Sequence, residues 1–233
     1  ARELVSGMGG EPGIVDAAHR RMATERLHHR LGAREMIADA RVQRANAALV
    51  PATRLVYLIL TGGDLTANPI EYITHQTGWY ALLLLVCSLT VTPLRKVTRW
   101  SAAHRFRRLL GLFSFFYAVL HFATWFVFDK FFDVVEMGKD VVKRPYITVG
   151  MTALLMLIPL AVTSTAGWIR RLGGQRWARL HRLAYTAAIA GVLHFWWLVK
   201  SDIREPAAFG LAVAILLGAR AGWTLQPRPS LRS

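Results

Sequence analysis

Residues 180–200 read LHRLAYTAAIAGVLHFWWLVK, an apolar run that begins and ends on basic residues and holds two histidines, His181 and His194, thirteen positions apart. A second run, AVLHFATW at 118–125, holds His121. Helices cross a bilayer in roughly 20 predominantly apolar residues. A histidine within such a helix is expensive unless it has a partner. Neutral imidazole is a common ligand of haem iron. The stretch therefore points to a membrane helix whose histidines hold a cofactor.

The whole chain agrees with a membrane setting. It has 233 residues, 54% of them hydrophobic, too apolar for a soluble domain. The apolar residues gather into blocks separated by short charged loops. A spanning segment must satisfy its own backbone hydrogen bonds, so the blocks are expected to be helices. No stretch shows the strict alternation of a membrane barrel strand. The formal net charge is +15. In a soluble protein that charge would suggest nucleic acid. Here the basic residues sit between apolar blocks, which favours a membrane explanation and no nucleic-acid partner.

Six blocks are expected to span: 45–60, 72–92, 109–128, 146–169, 181–199 and 207–225. The second is expected to stop before Pro93, and Pro159 is expected to kink the fourth, relieved by the Thr163 and Ser164 hydroxyls. Block one is the weakest, with Pro51 and Arg54 inside it; Arg54 would snorkel or meet a haem propionate. The loop at 94–108 carries six arginines and lysines and no acid, and the loop at 170–182 carries five arginines and no acid. Both follow even-numbered spans. Basic loops stay in the cytoplasm, so both termini are expected there and the acid-bearing loops outside.

Residues 1–44 are polar and arginine-rich, and are expected to form a solvated, disordered cytoplasmic extension. No apolar segment follows the positive residues as in a signal peptide. Adjacent His28 and His29 would point in different directions on a helix, which argues against a metal site there. Residues 226–233 form a short basic tail.

Orientation sets depth. Spans three and five both run outward from the cytoplasm. His121 lies thirteen residues beyond Arg108, and His194 thirteen beyond His181. Each is thus ~20 Å outward of its helix start, as one iron between two imidazoles requires. His181 sits one storey lower, at the cytoplasmic side, and no obvious partner for it emerges; His104 is on that side but in a loop. On one ideal helix His181 and His194 are about 220° apart and share no face. His75, in ITHQTGWY, is expected near the outer interface, either as a hydrogen-bonding residue or in contact with haem. The single cysteine, Cys87, lies in an apolar run, and there is no CxxCH. A bound haem would then be b-type, held by ligands and packing alone. No hydrolase, zinc-protease or nucleotide-binding motif is present, and no paired carboxylates lie in the apolar blocks.

The stretches NPIEYITHQTGWYAL, LTVTPLR, RRLLGLFSFFYAVLHFATW, KRPYITVG, AVTSTAGWIRRLGGQRWARLHRLAY and VLHFWWLVKSD together resemble the MsrQ (YedZ) family, in the same order over about residues 52–221. These are haem-bearing membrane subunits of a bacterial periplasmic methionine-sulfoxide reductase system. The resemblance implies an all-α, six-helix, ferric-reductase-like transmembrane bundle. It implies one or two b-type haems bound through His121, His181 and His194. It further implies electron delivery across the inner membrane to a periplasmic molybdenum-cofactor reductase of MsrP type. Quinones or a cytosolic flavin reductase are the implied donors, and FMN is an associated cofactor. The amino end departs from the family pattern, with a long polar stretch ahead of a first span less apolar than usual; this bears on block one and not on the histidines. A self-contained ferric or oxygen reductase is the rival enzyme, expected to need flavin and nicotinamide domains after span six. A haem-free transporter is the rival outside redox chemistry.

Overall fold

In the computed structural model, residues 42–43, 45–57, 68–99, 103–199 and 201–225 are described. Residues 1–50 and 51–233 fall into two units. Helical residues 42–43 and 45–50 belong to the first, and the expected extension lies almost wholly outside the described residues. In the second unit, every described element is a helix. After α1 (51–57) come α2 (Pro69–Thr98), α3 (Ala103–Thr124) with a π-helical turn at Trp125–Asp129, and α4 (Val134–Lys143). Then follow α5 (Pro145–Val162), α6 (Ala166–Leu172), α7 (Gly174–Leu180), α8 (Leu183–Leu198) and α9 (Arg204–Leu225).

Two hairpins make the frame. α2 packs along α3, and α5 along α8, with α3 against α5 and α2 against α8 closing a four-helix arrangement; α9 covers α2 and α8. Leu82, Val86 and Leu89 of α2 meet Leu157 and Leu160 of α5, Ala187, Ala188 and Val192 of α8, and Phe209 and Val213 of α9 in one buried cluster. Polar glue joins the first hairpin: Ser114 Oγ donates to the Ala81 carbonyl at 2.8 Å, and Ser88 Oγ to that of Arg107 at 3.1 Å. Small hydroxyl residues let apolar helices approach and bond in this way. Fully buried Tyr117 accepts a hydrogen bond from the Ala52 N–H at 3.1 Å, tying α1 to α3.

The helix ends follow local chemistry. α2 opens on Asn68, whose side chain accepts from the Glu71 N–H at 3.3 Å, with Pro69 in the first turn. It does not stop before Pro93. The proline removes one helix hydrogen bond, and Leu94, Arg95 and Lys96, all strong helix formers, carry the helix on to Thr98. Helix α5 carries Pro159 within it but does not continue to residue 169. It ends one turn later, where Thr163 and Ser164 hydroxyls take the Pro159 and Leu160 carbonyls, each at 2.6 Å. The basic loop beyond is itself helical, as α6 and α7, and Trp177 Nε1 donates to the Thr163 carbonyl at 2.9 Å. His181 and Arg182 then form a turn, so α8 starts at Leu183.

Four described helical stretches are long and apolar enough to cross a membrane: Pro69–Thr98, Phe106–Asp129, Pro145–Val162 and Arg204–Gly222. This is a multi-pass membrane protein. Helix α8 has sixteen residues and lies among these, buried through Ala187, Ala188, Val192 and Phe195. Of block one, residues 58–60 lie outside the described residues.

At the acid-bearing end, Lys130 makes an ion pair with Asp140, which also faces Arg144 Nε at 3.5 Å. The Lys130 and Asp140 side chains are 10% and 7% exposed, so neither charge has water as a full substitute for the other. The Lys130 ammonium holds the Asp140 carboxyl below its ordinary value, and the carboxylate raises Lys130 in turn. Lys130→Ala should destabilise the fold by about 1–3 kcal/mol, since it leaves the Asp140 carboxylate with Arg144 alone at 3.5 Å. Lys130→Met combined with Asp140→Leu should cost less. Asp140 is depressed on folding, so its contribution is present above the ordinary carboxylate range and lost as pH falls through its lowered value. Lys130 is raised, so its contribution is complete below the ordinary lysine value and lost as pH rises through the raised one. Thermal melts in detergent across pH should show the wild-type advantage over the double variant flat through neutrality and shrinking at both extremes.

Candidate functional site

His121 and His194 face each other across the two hairpins, with ring centroids 6.0 Å apart and planes at 76°. Each ring is held by the helix paired with its own. His121 Nδ1 lies 2.8 Å from the Thr74 carbonyl of α2, and His194 Nδ1 lies 2.7 Å from the Tyr146 carbonyl of α5. A carbonyl oxygen only accepts, so in both rings Nδ1 carries the proton and donates it. Nε2 is then the basic nitrogen, the state in which neutral histidine ligates a metal. A backbone acceptor behind the ring also fixes its orientation and raises its basicity. The Tyr146 ring approaches His194 at 6.2 Å between centroids.

His181 repeats the pattern elsewhere. Its Nδ1 lies 3.1 Å from the Trp177 carbonyl one turn earlier, and its ring stacks on Trp177 with centroids 3.8 Å apart. Its Nε2 is buried and makes no hydrogen bond. The Arg107 guanidinium and the Leu160 carbonyl are among the groups that act on this ring. Leu160 and Tyr146 stand fourteen residues apart on α5, about 20 Å along the axis. The structure therefore brings His121 and His194 together and sets His181 apart, toward the end that carries the arginine-rich loops.

His75 lies on α2 beside Thr74, exposed, with its ring centroid 5.5 Å from that of Phe195 and the planes at 67°. Arg54 is exposed on α1. Among the described residues no three His, Cys, Asp or Glu side chains cluster as a metal site of their own. The donor set is imidazole, without thiolate or carboxylate, and it fits a metal whose other ligands come from a macrocycle. Imidazole bonds a first-row metal ion at ~2 Å. Two rings on opposite sides of one ion would then have centroids about 6 Å apart. The separation of His121 and His194 fits one haem iron.

Four residues of this arrangement carried no signal in the sequence: Thr74 and Tyr146, which act through backbone, and Gly78 and Gly150, over which the two rings lie. Glycine in an apolar helix reads as packing, and only the register between helices gives it another meaning.

The family profile described as "Ferric reductase like transmembrane component" matches residues 77–192, which include His121 and His181 and end two residues before His194. A protein of Herminiimonas arsenicoxydans named "Protein-methionine-sulfoxide reductase heme-binding subunit MsrQ" is 54% identical over 184 residues, covering 78% of this chain and 84% of its own length. This chain belongs to the MsrQ family. Proteins of the same name from Ralstonia nicotianae and Rhodospirillum rubrum are 48% identical over 178 residues and 52% identical over 159. They cover 76% and 68% of this chain, and it covers 82% and 76% of them. Of the facing pair, His121 lies inside the matched range and His194 just beyond it.

Proposed function

We propose that this MsrQ-family chain is a b-type haem subunit that carries electrons across the bacterial inner membrane to a periplasmic methionine-sulfoxide reductase of MsrP type. The observation that carries the reading is the pair His121–His194, half-buried between two helix hairpins with both Nδ1 protons committed to backbone carbonyls. His121 and His194 would hold one haem iron by Nε2. His181, whose buried Nε2 lies about 20 Å nearer the cytoplasm, would ligate a second. Haem supplies reversible one-electron chemistry; the protein sets ligand basicity, excludes water and places the two sites in sequence across the bilayer. His75, exposed on the outer half of α2, would reach haem at most through its periphery. The quinone pool or a cytosolic flavin reductase would feed the inner side, with FMN as a further cofactor. Both termini would be cytoplasmic.

The names of the relatives support the haem and the reductase system. The arginine-rich loops support the orientation. Dithionite-reduced protein in proteoliposomes should be re-oxidised on addition of the molybdenum-cofactor reductase together with methionine sulfoxide, and not by either alone. Re-oxidation at the same rate without the reductase would contradict the assignment. His181→Ala should leave the low-spin signal of the His121–His194 site in place while total haem falls. Loss of that outer signal in His181→Ala would show that His181 ligates the same iron.

A further inference from the structure

Two helices carry the same device. On α2 the Thr74 carbonyl accepts from His121, and four residues on, Gly78 lies under the ring; a Cβ there would stand 3.0 Å from both Cε1 and Nδ1. On α5 the Tyr146 carbonyl accepts from His194, and four residues on is Gly150. A Cβ there would stand 2.7 Å from Nδ1, 2.8 Å from Cε1 and 3.1 Å from Cγ. In an α-helix the carbonyl of residue i already takes the N–H of residue i+4, and the two lie one above the other on one face. A ring approaching the second lone pair of that carbonyl must pass over residue i+4. The ring can do so only where that residue has no side chain. On α2 the Thr77 hydroxyl is also 2.9 Å from the Thr74 oxygen, but it has the Ile73 carbonyl at 2.8 Å as an alternative acceptor. His181 needs no such glycine, because its acceptor is in its own preceding turn.

We propose that Gly78 and Gly150 are positioning residues of the haem site: a bare Cα four residues beyond the acceptor carbonyl lets each axial imidazole make its Nδ1–H···O=C bond. This rests on His121 and His194 being the iron ligands. The bond sets which nitrogen faces the metal and in what plane, and it pushes electron density onto Nε2. Adding a methyl group lifts the ring from its carbonyl. The ligand then becomes less basic, and the ferric state loses more than the ferrous one. Gly150, with the closer contacts, is the more sensitive of the two.

The test compares Gly150→Ala and Gly78→Ala with two other helical glycines in purified holoprotein. At Gly191 a Cβ would meet Leu82 Cδ1 at 3.1 Å, a tight contact between α8 and α2 away from both rings; at Gly111 it would meet only Ser88 Oγ, at 3.6 Å. The readouts are the low-spin electron paramagnetic resonance signal, the midpoint potential and haem retention against an apo-globin trap. Gly150→Ala should shift the low-spin g values, raise the potential and release haem about 10-fold faster or more. Gly78→Ala should move the same readouts in the same direction by less. Gly191→Ala and Gly111→Ala should leave the g values and potential where they are. Should Gly150→Ala not accumulate, Gly78→Ala carries the test alone, since its contacts ask for a smaller shift. Unchanged g values and potential in whichever of the two accumulates would overturn the proposal. So would an equal shift in Gly191→Ala. A wild-type protein without low-spin haem would instead overturn the ligand assignment on which the proposal rests.

Discussion

His121→Ala and His194→Ala should each abolish the same low-spin haem signal. The two ring centroids stand 6.0 Å apart with their Nδ1 atoms tied back to α2 and α5, which leaves Nε2 of each as the basic nitrogen. With these two as the haem ligands, removing either would leave a bound haem with a single histidine and a high-spin iron, or no bound haem, since no thioether would hold the macrocycle. The loss should be close to complete in each variant and no greater in the double variant, because the ligands act as one unit. His75→Ala should cost much less, its side chain being exposed and its ring edge turned to Phe195. Haem content by pyridine haemochrome and low-spin electron paramagnetic resonance on the four variants measure this. Retention of the full low-spin signal in both His121→Ala and His194→Ala would rule out the pair.

The second large effect concerns orientation. A reporter active only in the periplasm, fused after Lys139, should be fully active; fused after Gly174 it should be silent. Lys139 lies in α4, on a segment that mixes acids with bases, whereas Gly174 opens α7 among Arg170, Arg171, Arg176 and Arg179 with no acid. Basic residues close to the ends of spans are retained on the cytoplasmic side. The reversed pattern would turn the bundle over, placing His181 nearest the periplasm and the His121–His194 pair nearest the cytoplasm. Electron delivery to a periplasmic reductase would then leave from the wrong site.

Much of this was legible from residue order. Apolar blocks marked the four helices that are long enough to cross a membrane, arginine distribution set an expected direction for them, and a fixed rise per residue put His121 and His194 at one depth before any contact was known. The structure sets them face to face because α3 and α8 each pair with the helix that precedes them in space, α2 and α5. What the sequence hid depended on register between helices. Pro93 looked like a stop because proline removes a hydrogen bond, yet the helix formers after it continue α2 to Thr98. The separation of His181 from His194 is a turn at 181–182 joining α7 to α8, not one continuous helix, so the expected angle between them on a single cylinder does not apply. Arginine-rich sequence between spans four and five read as loop, because charge marks a loop from a membrane but does not forbid short helices at its surface. The carbonyls of Thr74 and Tyr146 carry no side-chain signal at all.

The most direct measurement is the absorption spectrum of the protein purified from haem-replete cells, oxidised and then reduced with dithionite. The account predicts a low-spin b-type spectrum with sharp reduced α and β bands, and a pigment that acid acetone extracts completely because no thioether anchors it. A colourless protein that remains so after incubation with haemin would contradict it.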